Sequence, residues 1–241
     1  MARPAADLLA EGTFNYIELY TPPQTYIQTI DIWKNIPCPW IIHAPHFGHG
    51  VNLADSKCRQ ANVMALCDAQ RFADRLHAPH IIVHGGFGGS LEETCQQVIA
   101  LHDTRFILEN TPQYGIDGQQ CVGYTPEHIS FAKKSGAFSG FVLDLGHAIY
   151  AANALKKEPL NFLRRFLKLS PYMLHISDGD WAGIKDVHHR IGQGNFNLYN
   201  ICALLPKKAR LTLEVPRDRG KRLEDSREDA LALWQLLKNI A

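Results

Sequence analysis

The stretch Phe141-Val142-Leu143-Asp144 is a short apolar run that ends in an acid, and the whole chain can be interpreted from it. Five further runs share its form and end in a histidine or a glutamate, at residues 39–43, 81–84, 106–109, 172–175 and 211–214. Continuous apolar runs of this length are typical of parallel strands that are buried on both faces. In a barrel of parallel strands, the residues at the carboxyl ends meet at one mouth, where catalysis takes place. The runs therefore predict a metal centre at one end of an α/β barrel.

Length and composition are compatible with this fold. The chain has 241 residues, of which 46% are hydrophobic, and parallel barrels run to about 250 residues as one unit. We therefore expect a single domain over residues 1–241. The 25 lysines and arginines are matched by 24 acids. The chain therefore lacks the overall excess of positive charge that would indicate a polyanionic partner, although a local basic patch could suffice to bind one.

The composition also bears on the cellular environment. The six cysteines show no C-x-x-C spacing, which predicts reduced thiols in a cytoplasmic protein. Residues 1–7 lack the apolar segment of a signal peptide, and no apolar stretch approaches the roughly 20 residues that span a bilayer. We expect a cytoplasmic protein without a membrane partner, and we expect it to act as a monomer.

Apolar runs alternate with helical patterns along the chain, which favours βαβ units and a parallel sheet. We predict a first strand at residues 14–20, after a short helix at 5–10. Later helices are predicted after Ser90, after Thr125 and at residues 56–76, 155–169, 196–205 and 227–240. Residues 184–188 are predicted to form a loop. Seven strands result, so either an eighth strand lacks the pattern or the barrel is incomplete at its N-terminus.

Nine side chains at these strand ends and in the following loops have the donor groups of metal ligands. They are His43, His84, Glu109, Asp144, His147, His175, Asp186, His188 and Glu214. One zinc ion takes four ligands in a tetrahedral shell, so nine ligands fit two or three ions once a carboxylate bridges. A single histidine at a strand end is more often a structural residue, but packing does not explain nine such residues in a βα series.

The spacing inside this set supports the interpretation. Asp144 and His147 are three residues apart where a strand ends and the chain turns, so both side chains can reach neighbouring ions. Asp186 and His188 are separated by one residue, and alternate residues of an extended segment face the same way.

Several segments match the motifs of a known family. They are His43-Ala44-Pro45, Asn52-Leu53-Ala54, Val83-His84-Gly85-Gly86, Leu108-Glu109-Asn110-Thr111, Leu143-Asp144-Leu145-Gly146-His147-Ala148, Leu174-His175-Ile176-Ser177-Asp178, Asp186-Val187-His188-His189-Arg190-Ile191-Gly192-Gln193-Gly194 and Leu213-Glu214. From Phe14 to the C-terminus, the chain resembles endonuclease IV, the metal-dependent AP endonuclease branch of the xylose isomerase-like TIM barrels. The motifs D-x-x-H-A and D-x-H-H-x-x-G-x-G are highly specific as a set.

The resemblance implies a TIM-type (β/α) barrel with three metal sites. The first site would consist of His43, His84 and Glu109. The second would share Glu109 and add Asp144, His175 and Glu214, and the third would consist of His147, Asp186 and His188. His46 and His49 lie in the same loop as His43 and are alternatives to it. The implied cofactor is zinc, in two to three copies, with manganese as the other candidate.

The implied reaction is hydrolysis of DNA at abasic sites. Paired ions roughly 3.5–4 Å apart lower the pKa of a bridging water to about 7 and clamp the attacking and leaving oxygens of a phosphodiester. Glu109 would orient this water or accept its proton, which makes it the catalytic candidate. Asp178 is either a hydrogen-bonding partner of the ligands or a residue that caps a loop.

The resemblance is weaker where the family binds DNA. No Gly-Ala-His strand precedes Phe14, and residues 21–26 replace a basic loop that enters DNA. The best basic patch follows Glu214 and consists of Arg217, Arg219, Lys221 and Arg222. Arg217 and Arg219 are therefore predicted to contact phosphates, and the alternative is an ordinary surface loop. His46 stands where family members commonly have a tyrosine, and it is also a predicted substrate contact.

Two enzymatic functions remain open at this point. The first is a metal-dependent phosphodiesterase whose partner is DNA with an abasic site. The second is an isomerase or epimerase that acts on a sugar, a keto acid or a small phosphorylated substrate. The trio His147, Asp186 and His188 favours the first, because an isomerase has little use for a third ion. A non-catalytic metal-binding relic is disfavoured, because such a protein has no physical reason to keep all nine ligands.

Overall fold

A parallel barrel forms the centre of the computed structural model, which describes residues 2–217 and 223–240. Within these residues, seven parallel strands make one sheet in the order β1 to β7. The strands are Ile17–Tyr20 (β1), Trp40–His43 (β2), Ile81–His84 (β3), Phe106–Glu109 (β4), Gly140–Asp144 (β5), Met173–Ile176 (β6) and Leu211–Leu213 (β7). The TIM-type fold predicted from the apolar runs is confirmed, and so is the number of strands.

Helices follow the strands and surround the sheet. They are Ala2–Ala10 (α1), Tyr26–Trp33 (α2), Arg59–Leu76 (α3), Leu91–Ile99 (α4), Pro126–Lys134 (α5), Leu145–Ala154 (α6), Pro159–Leu167 (α7), Leu198–Cys202 (α8) and Glu224–Lys238 (α9). Short 3₁₀ turns lie at Phe47–His49 and Ser56–Cys58. Among the described residues, no helix combines the length and apolar character needed to cross a bilayer.

Several predicted boundaries were wrong, and two helices were not predicted. The first strand begins at Ile17 rather than at residue 14, and the helix predicted at 56–76 opens with a 3₁₀ turn. Helix α6 was not predicted because residues 145–152 are all buried, so the helix has no polar face to produce an amphipathic pattern. Helix α2 was not predicted because it follows a proline-rich segment, and the Thr25 hydroxyl donates to the Pro22 carbonyl rather than capping the helix.

Alternation of side chains explains why the polar residues face the inside of the barrel. A small apolar cluster fills the barrel interior and consists of Ile41, Ile82, Ile107, Val142 and Met173. Residues two apart on a strand lie on the same face. The residues two positions later are His43, His84, Glu109, Asp144 and His175. The barrel interior is therefore apolar in one layer and polar in the layer above it.

The sheet does not close with strand pairing. Strands β1 and β7 are the two ends of the strand order, and we call the gap between them the open seam. A groove of about 1440 Å³ runs along it and is lined by parts of α1, β1, β7 and α9. An eighth strand is absent from the described residues, so of the two alternatives left by the sequence the structure supports the incomplete barrel.

We predict that Ile107→Ala lowers the free energy of unfolding by about 2–5 kcal/mol, because the fully buried side chain lies in the closely packed barrel interior. Ile27→Ala is the matched control, since Ile27 is 79% exposed on α2, and it changes this free energy by less than about 0.5 kcal/mol. Urea unfolding monitored by circular dichroism measures both values. Equal losses in the two variants would contradict the assigned interior layer.

Candidate metal centre

Glu109, at the end of β4, lies at the centre of the barrel mouth. Its carboxylate is completely buried. Its Oε2 atom is 3.2 Å from His43 Nε2 and 3.3 Å from His84 Nε2. Its Oε1 atom is 3.3 Å from His147 Nδ1 and 3.5 Å from His175 Nδ1. One carboxylate thus faces four imidazole rings that come from three strands and a helix.

The nine predicted ligands meet in three clusters. Within each cluster, the donor atoms lie within 4.8 Å of one another, and the described part of the chain holds no other such group. The clusters are His43, His84 and Glu109; Glu109, Asp144, His175 and Glu214; and His147, Asp186 and His188. Glu109 belongs to the first and second clusters, as the resemblance implied. The structure brings the nine residues together, and their binding of metal ions is part of the function proposed below.

The third cluster depends on the loop that follows β6. Asp186 Oδ2 lies 3.2 Å from His147 Nε2 and 2.9 Å from His188 Nε2. Tyr150 holds this loop in place by donating a hydrogen bond from its hydroxyl to the carbonyl of Val187 at 3.1 Å. Residues 184–188 have no regular secondary structure, so the predicted loop is confirmed.

Asp178 stabilises the same loop from the other side. Its carboxylate accepts hydrogen bonds from the backbone N–H groups of Gly179, Gly192 and Phe196, at 2.8–3.0 Å. Its hydrogen bonds all go to the loop backbone and to none of the nine candidate ligands. Of the two roles considered for this residue, the structure therefore supports the loop-capping one.

Unsatisfied polar atoms inside the clusters indicate that the residues fit metal ions. Six buried side-chain atoms of the nine residues have no hydrogen-bond partner in the described part of the chain: His84 Nε2, Glu109 Oε1, Asp144 Oδ2, His175 Nδ1, Asp186 Oδ1 and Glu214 Oε2. Such atoms are costly in a protein interior, and each one calls for an explanation. Some lie close together without hydrogen-bonding geometry, such as His175 Nδ1 and Glu214 Oε2 at 2.9 Å. Donor atoms that face a common cation show this arrangement.

Hydrogen bonds to backbone carbonyls orient three of the histidines. A carbonyl oxygen only accepts, so the Nδ1 atoms of His43, His147 and His188 must each carry a hydrogen. Nε2 is then the ring nitrogen that faces the carboxylate of each cluster, which is Glu109 for His43 and Asp186 for the other two. The acceptors are Ala44, Asn110 and Glu214, at 2.8, 2.8 and 2.7 Å. Metal-binding histidines in proteins usually have such a partner on the second ring nitrogen.

Two residues that support the site were not predicted. Asn110 forms a pair of hydrogen bonds with the backbone of Asp144, at 2.7 and 3.0 Å, and its carbonyl accepts from His147. Its place next to Glu109 in the Leu-Glu-Asn-Thr motif was the available signal. Glu18 accepts a hydrogen bond from His175 Nε2 at 2.9 Å. Its signal was an acid inside an otherwise apolar first strand.

A pocket of about 200 Å³ opens beside the clusters. It is lined by Glu18, Tyr20, His43, His46, Thr212, Leu213, Glu214 and Arg217. The His46 ring stacks on His84 with 5.1 Å between ring centroids, whereas His49 Nδ1 lies 2.7 Å from the Tyr20 hydroxyl, away from the clusters. His43 is thus the member of its loop that meets Glu109. Arg219, Lys221 and Arg222 lie outside the described residues.

In the metal-free protein, the clusters hold protons. Burial lowers the pKa of His43, but the hydrogen bond and charge of Glu109 outweigh burial and raise this pKa to about 9. Burial likewise opposes the effect of Asp186 on His188, whose pKa nevertheless rises to about 10. Glu109 behaves in the opposite way, because the surrounding imidazoles overcome burial and keep its pKa well below the ordinary value.

The family follows from comparison with known proteins. A family model described as xylose isomerase-like TIM barrel matches residues 14–237. The chain belongs to the xylose isomerase-like TIM barrel family. The resemblance inferred from the motifs is thereby confirmed, since endonuclease IV and sugar epimerases are both among the similar structures.

Proteins similar to this xylose isomerase-like barrel carry the names of different enzymes. A D-tagatose 3-epimerase-like protein shares 20% identity at a TM-score of 0.73, with 97% of this chain and 92% of that chain covered. Endonuclease IV from Thermus thermophilus shares 19% identity at a TM-score of 0.73, with 99% and 94% covered. The uncharacterized protein MJ1311 of Methanocaldococcus jannaschii is 24% identical over 216 residues, which cover 83% of this chain and 70% of that protein. The structural likeness shows a shared fold.

We predict that the metal-free xylose isomerase-like barrel takes up two to three zinc ions and releases protons as it does so. The histidines with raised pKa values are protonated at neutral pH, and an ion must displace these protons. Zinc affinity therefore falls when the pH is lowered from about 8 to about 6. Calorimetric titration in two buffers of different ionisation enthalpy measures both affinity and proton release. Uptake of a single ion, or an affinity independent of pH, would contradict the three clusters.

Proposed function

We propose that this protein is a metal-dependent phosphodiesterase that hydrolyses DNA at abasic sites. The observation that carries the proposal is the third cluster, His147, Asp186 and His188, next to two clusters that share Glu109. Isomerisation of a sugar needs one or two ions to polarise a carbonyl. Hydrolysis of a phosphodiester can use ions on both the attacking and the leaving oxygen, so a third cluster has a function in this reaction.

The proposed cofactor is zinc, in two to three copies, with manganese as the alternative. Five histidines among nine ligands suit zinc, while the four carboxylates also suit manganese. Ions bound in the clusters would activate water as the nucleophile and neutralise the negative charge that develops on the phosphate.

Glu109 is the proposed catalytic residue among the nine. Its Oε1 atom is buried and lacks a hydrogen-bond partner within residues 2–217 and 223–240, so it can accept a hydrogen bond from the attacking water and orient it. Burial acts to raise its pKa, but the imidazoles of His175, His84 and His147 outweigh burial and hold this pKa well below the ordinary value. The carboxylate is therefore ionised at physiological pH and serves as an acceptor.

Two pocket residues are proposed to bind the substrate. Burial, followed by the charges of His84 and His43, lowers the pKa of His46 to about 3. The imidazole of His46 is thus neutral at physiological pH and can contact a substrate hydroxyl or phosphate by hydrogen bonding. Arg217 is exposed at the rim of the same pocket, where its guanidinium can pair with a phosphate.

We predict that Glu109→Gln reduces cleavage of a duplex with one abasic site by about a hundredfold or more, because the neutral amide orients water poorly and binds cations weakly. Glu92→Gln, exposed on α4, is the matched control and retains full activity. Strand breaks are counted on a denaturing gel with metal-replete protein, and circular dichroism checks that both variants fold. Wild-type protein that leaves the abasic duplex intact would overturn the proposed function, and full activity of Glu109→Gln would remove its assigned role.

We also predict that Arg217→Ala weakens binding to the abasic duplex and lowers the slope of log affinity against log salt concentration by about 1, as expected for one lost phosphate contact. Lys134→Ala, exposed on α5, is the control and leaves both quantities unchanged. Fluorescence anisotropy over a range of salt concentrations measures them. If the Arg217 variant binds like the wild type, residue 217 belongs to an ordinary surface loop.

A second candidate function is isomerisation or epimerisation of a sugar or keto acid. The pocket of about 200 Å³ favours it, because the pocket is small, lies beside the second cluster and carries the carboxylates of Glu18 and Glu214. The two functions are separated by assaying the same metal-replete protein on the abasic duplex and on a panel of keto-sugars. Conversion of a sugar without strand cleavage would replace the first proposal by the second.

A further inference from the structure

A chain of hydrogen bonds crosses the open seam and ends at the second cluster. Tyr16 and Glu18 lie on the β1 side, and Thr212 lies on β7. The Tyr16 hydroxyl is 2.7 Å from Thr212 Oγ1, and Thr212 Oγ1 donates to Glu18 Oε2 at 3.0 Å. Glu18 Oε2 also lies 2.9 Å from Nε2 of His175 on β6. This series of hydrogen bonds therefore links both edge strands of the sheet to one candidate ligand.

The direction of every bond in this chain follows from counting hydrogens. A hydroxyl has one hydrogen, and Thr212 gives its hydrogen to Glu18, so the Tyr16 hydroxyl must be the donor to Thr212. A carboxylate only accepts, so Nε2 of His175 must carry a hydrogen and donate it to Glu18. The Nδ1 atom of a neutral His175 then has a free lone pair.

This free lone pair faces the second cluster. Nδ1 of His175 is buried and has no hydrogen-bond partner among the residues that the structure describes. It lies 3.5 Å from Glu109 Oε1 and 2.9 Å from Glu214 Oε2. The other oriented histidines present Nε2 to their clusters and bond through Nδ1 to a backbone carbonyl. His175 has the opposite orientation: it presents Nδ1 to its cluster, and its Nε2 bonds to a charged side chain rather than to a carbonyl.

We propose that Glu18 is a positioning residue of the metal centre, which holds the ring of His175 so that Nδ1 faces Glu109, Asp144 and Glu214. The inference rests on the proposed metal centre and adds a residue to it. A carboxylate on the second nitrogen of a metal-binding histidine sets its tautomer and raises its basicity. Because β1 and β7 are not paired as strands, these hydrogen-bonded side chains also fix the position of β1 relative to the second cluster.

The variant Glu18→Gln tests the proposal through metal affinity. Zinc is titrated into the metal-free protein in competition with a chromophoric chelator. We expect one ion to bind about 10–100-fold more weakly, with the remaining affinity unchanged, because the amide is a weaker acceptor than the carboxylate. Unchanged affinity for every ion would overturn the proposal, and so would wild-type protein that binds no zinc.

A double variant separates positioning from closure of the open seam. Tyr16→Phe together with Thr212→Val removes both hydroxyls at once, so no buried partner is left unsatisfied, while Glu18 keeps its bond to His175. We expect this variant to bind zinc like the wild type. If the double variant loses as much zinc affinity as Glu18→Gln, the hydrogen bonds act by closing the open seam, and the role assigned to Glu18 is wrong.

A measurement on the wild type keeps the test valid if Glu18→Gln does not fold. Nitrogen-15 NMR of histidine-labelled, zinc-loaded protein distinguishes a protonated from a metal-bound ring nitrogen. For His175 we expect a hydrogen on Nε2 and zinc on Nδ1, and the reverse assignment would overturn the proposal. None of these measurements uses DNA, so a failure to cleave abasic sites would leave the role of Glu18 intact.

Discussion

The carboxylate of Glu109 is removed completely from water and faces four imidazole rings, and the polar half of the barrel is organised around this charge. A buried carboxylate without partners is strongly unfavourable, so the folded protein must place all of its imidazole partners around Glu109. For this to happen, β2, β3, β4 and β6 must end at the same mouth. A slip of one residue in any of them would turn its ligand to the outer face. The site and the register of the sheet are thus coupled.

The same coupling explains the division of the barrel interior into layers. Each apolar side chain of the inner cluster is followed two residues later by a candidate ligand, so one layer excludes water and the next one concentrates donor atoms. Donor atoms beside an apolar layer lie in a region of low polarity, where interactions between charges are stronger than in water. Tyr150, Asp178 and Asn110 then hold the loop and the helix that bring the remaining ligands to this layer.

The open seam is connected by hydrogen bonds to the second of the candidate metal clusters. A closed eight-stranded barrel positions every strand by pairing on both sides, whereas within the described residues β1 is paired with β2 alone. Its second attachment at the mouth consists of side chains, through Glu18 and Thr212. Proteins named as an epimerase-like protein and as an endonuclease share similar barrels, which fits the general rule that chemistry depends on the residues at the mouth rather than on the barrel.

Local pattern in the sequence was enough to predict the parallel strands, their number, the loop at 184–188 and the nine residues that meet at the mouth, because apolar runs and their polar ends are properties of short segments. It did not reveal α6, whose residues are buried on all sides. Only the tertiary structure decided that His43 rather than His49 meets Glu109, which nitrogen each ring presents, and that Glu18 contacts Thr212. These contacts join residues far apart in the chain, so they depend on strand order and on the width of the gap, which no local pattern records.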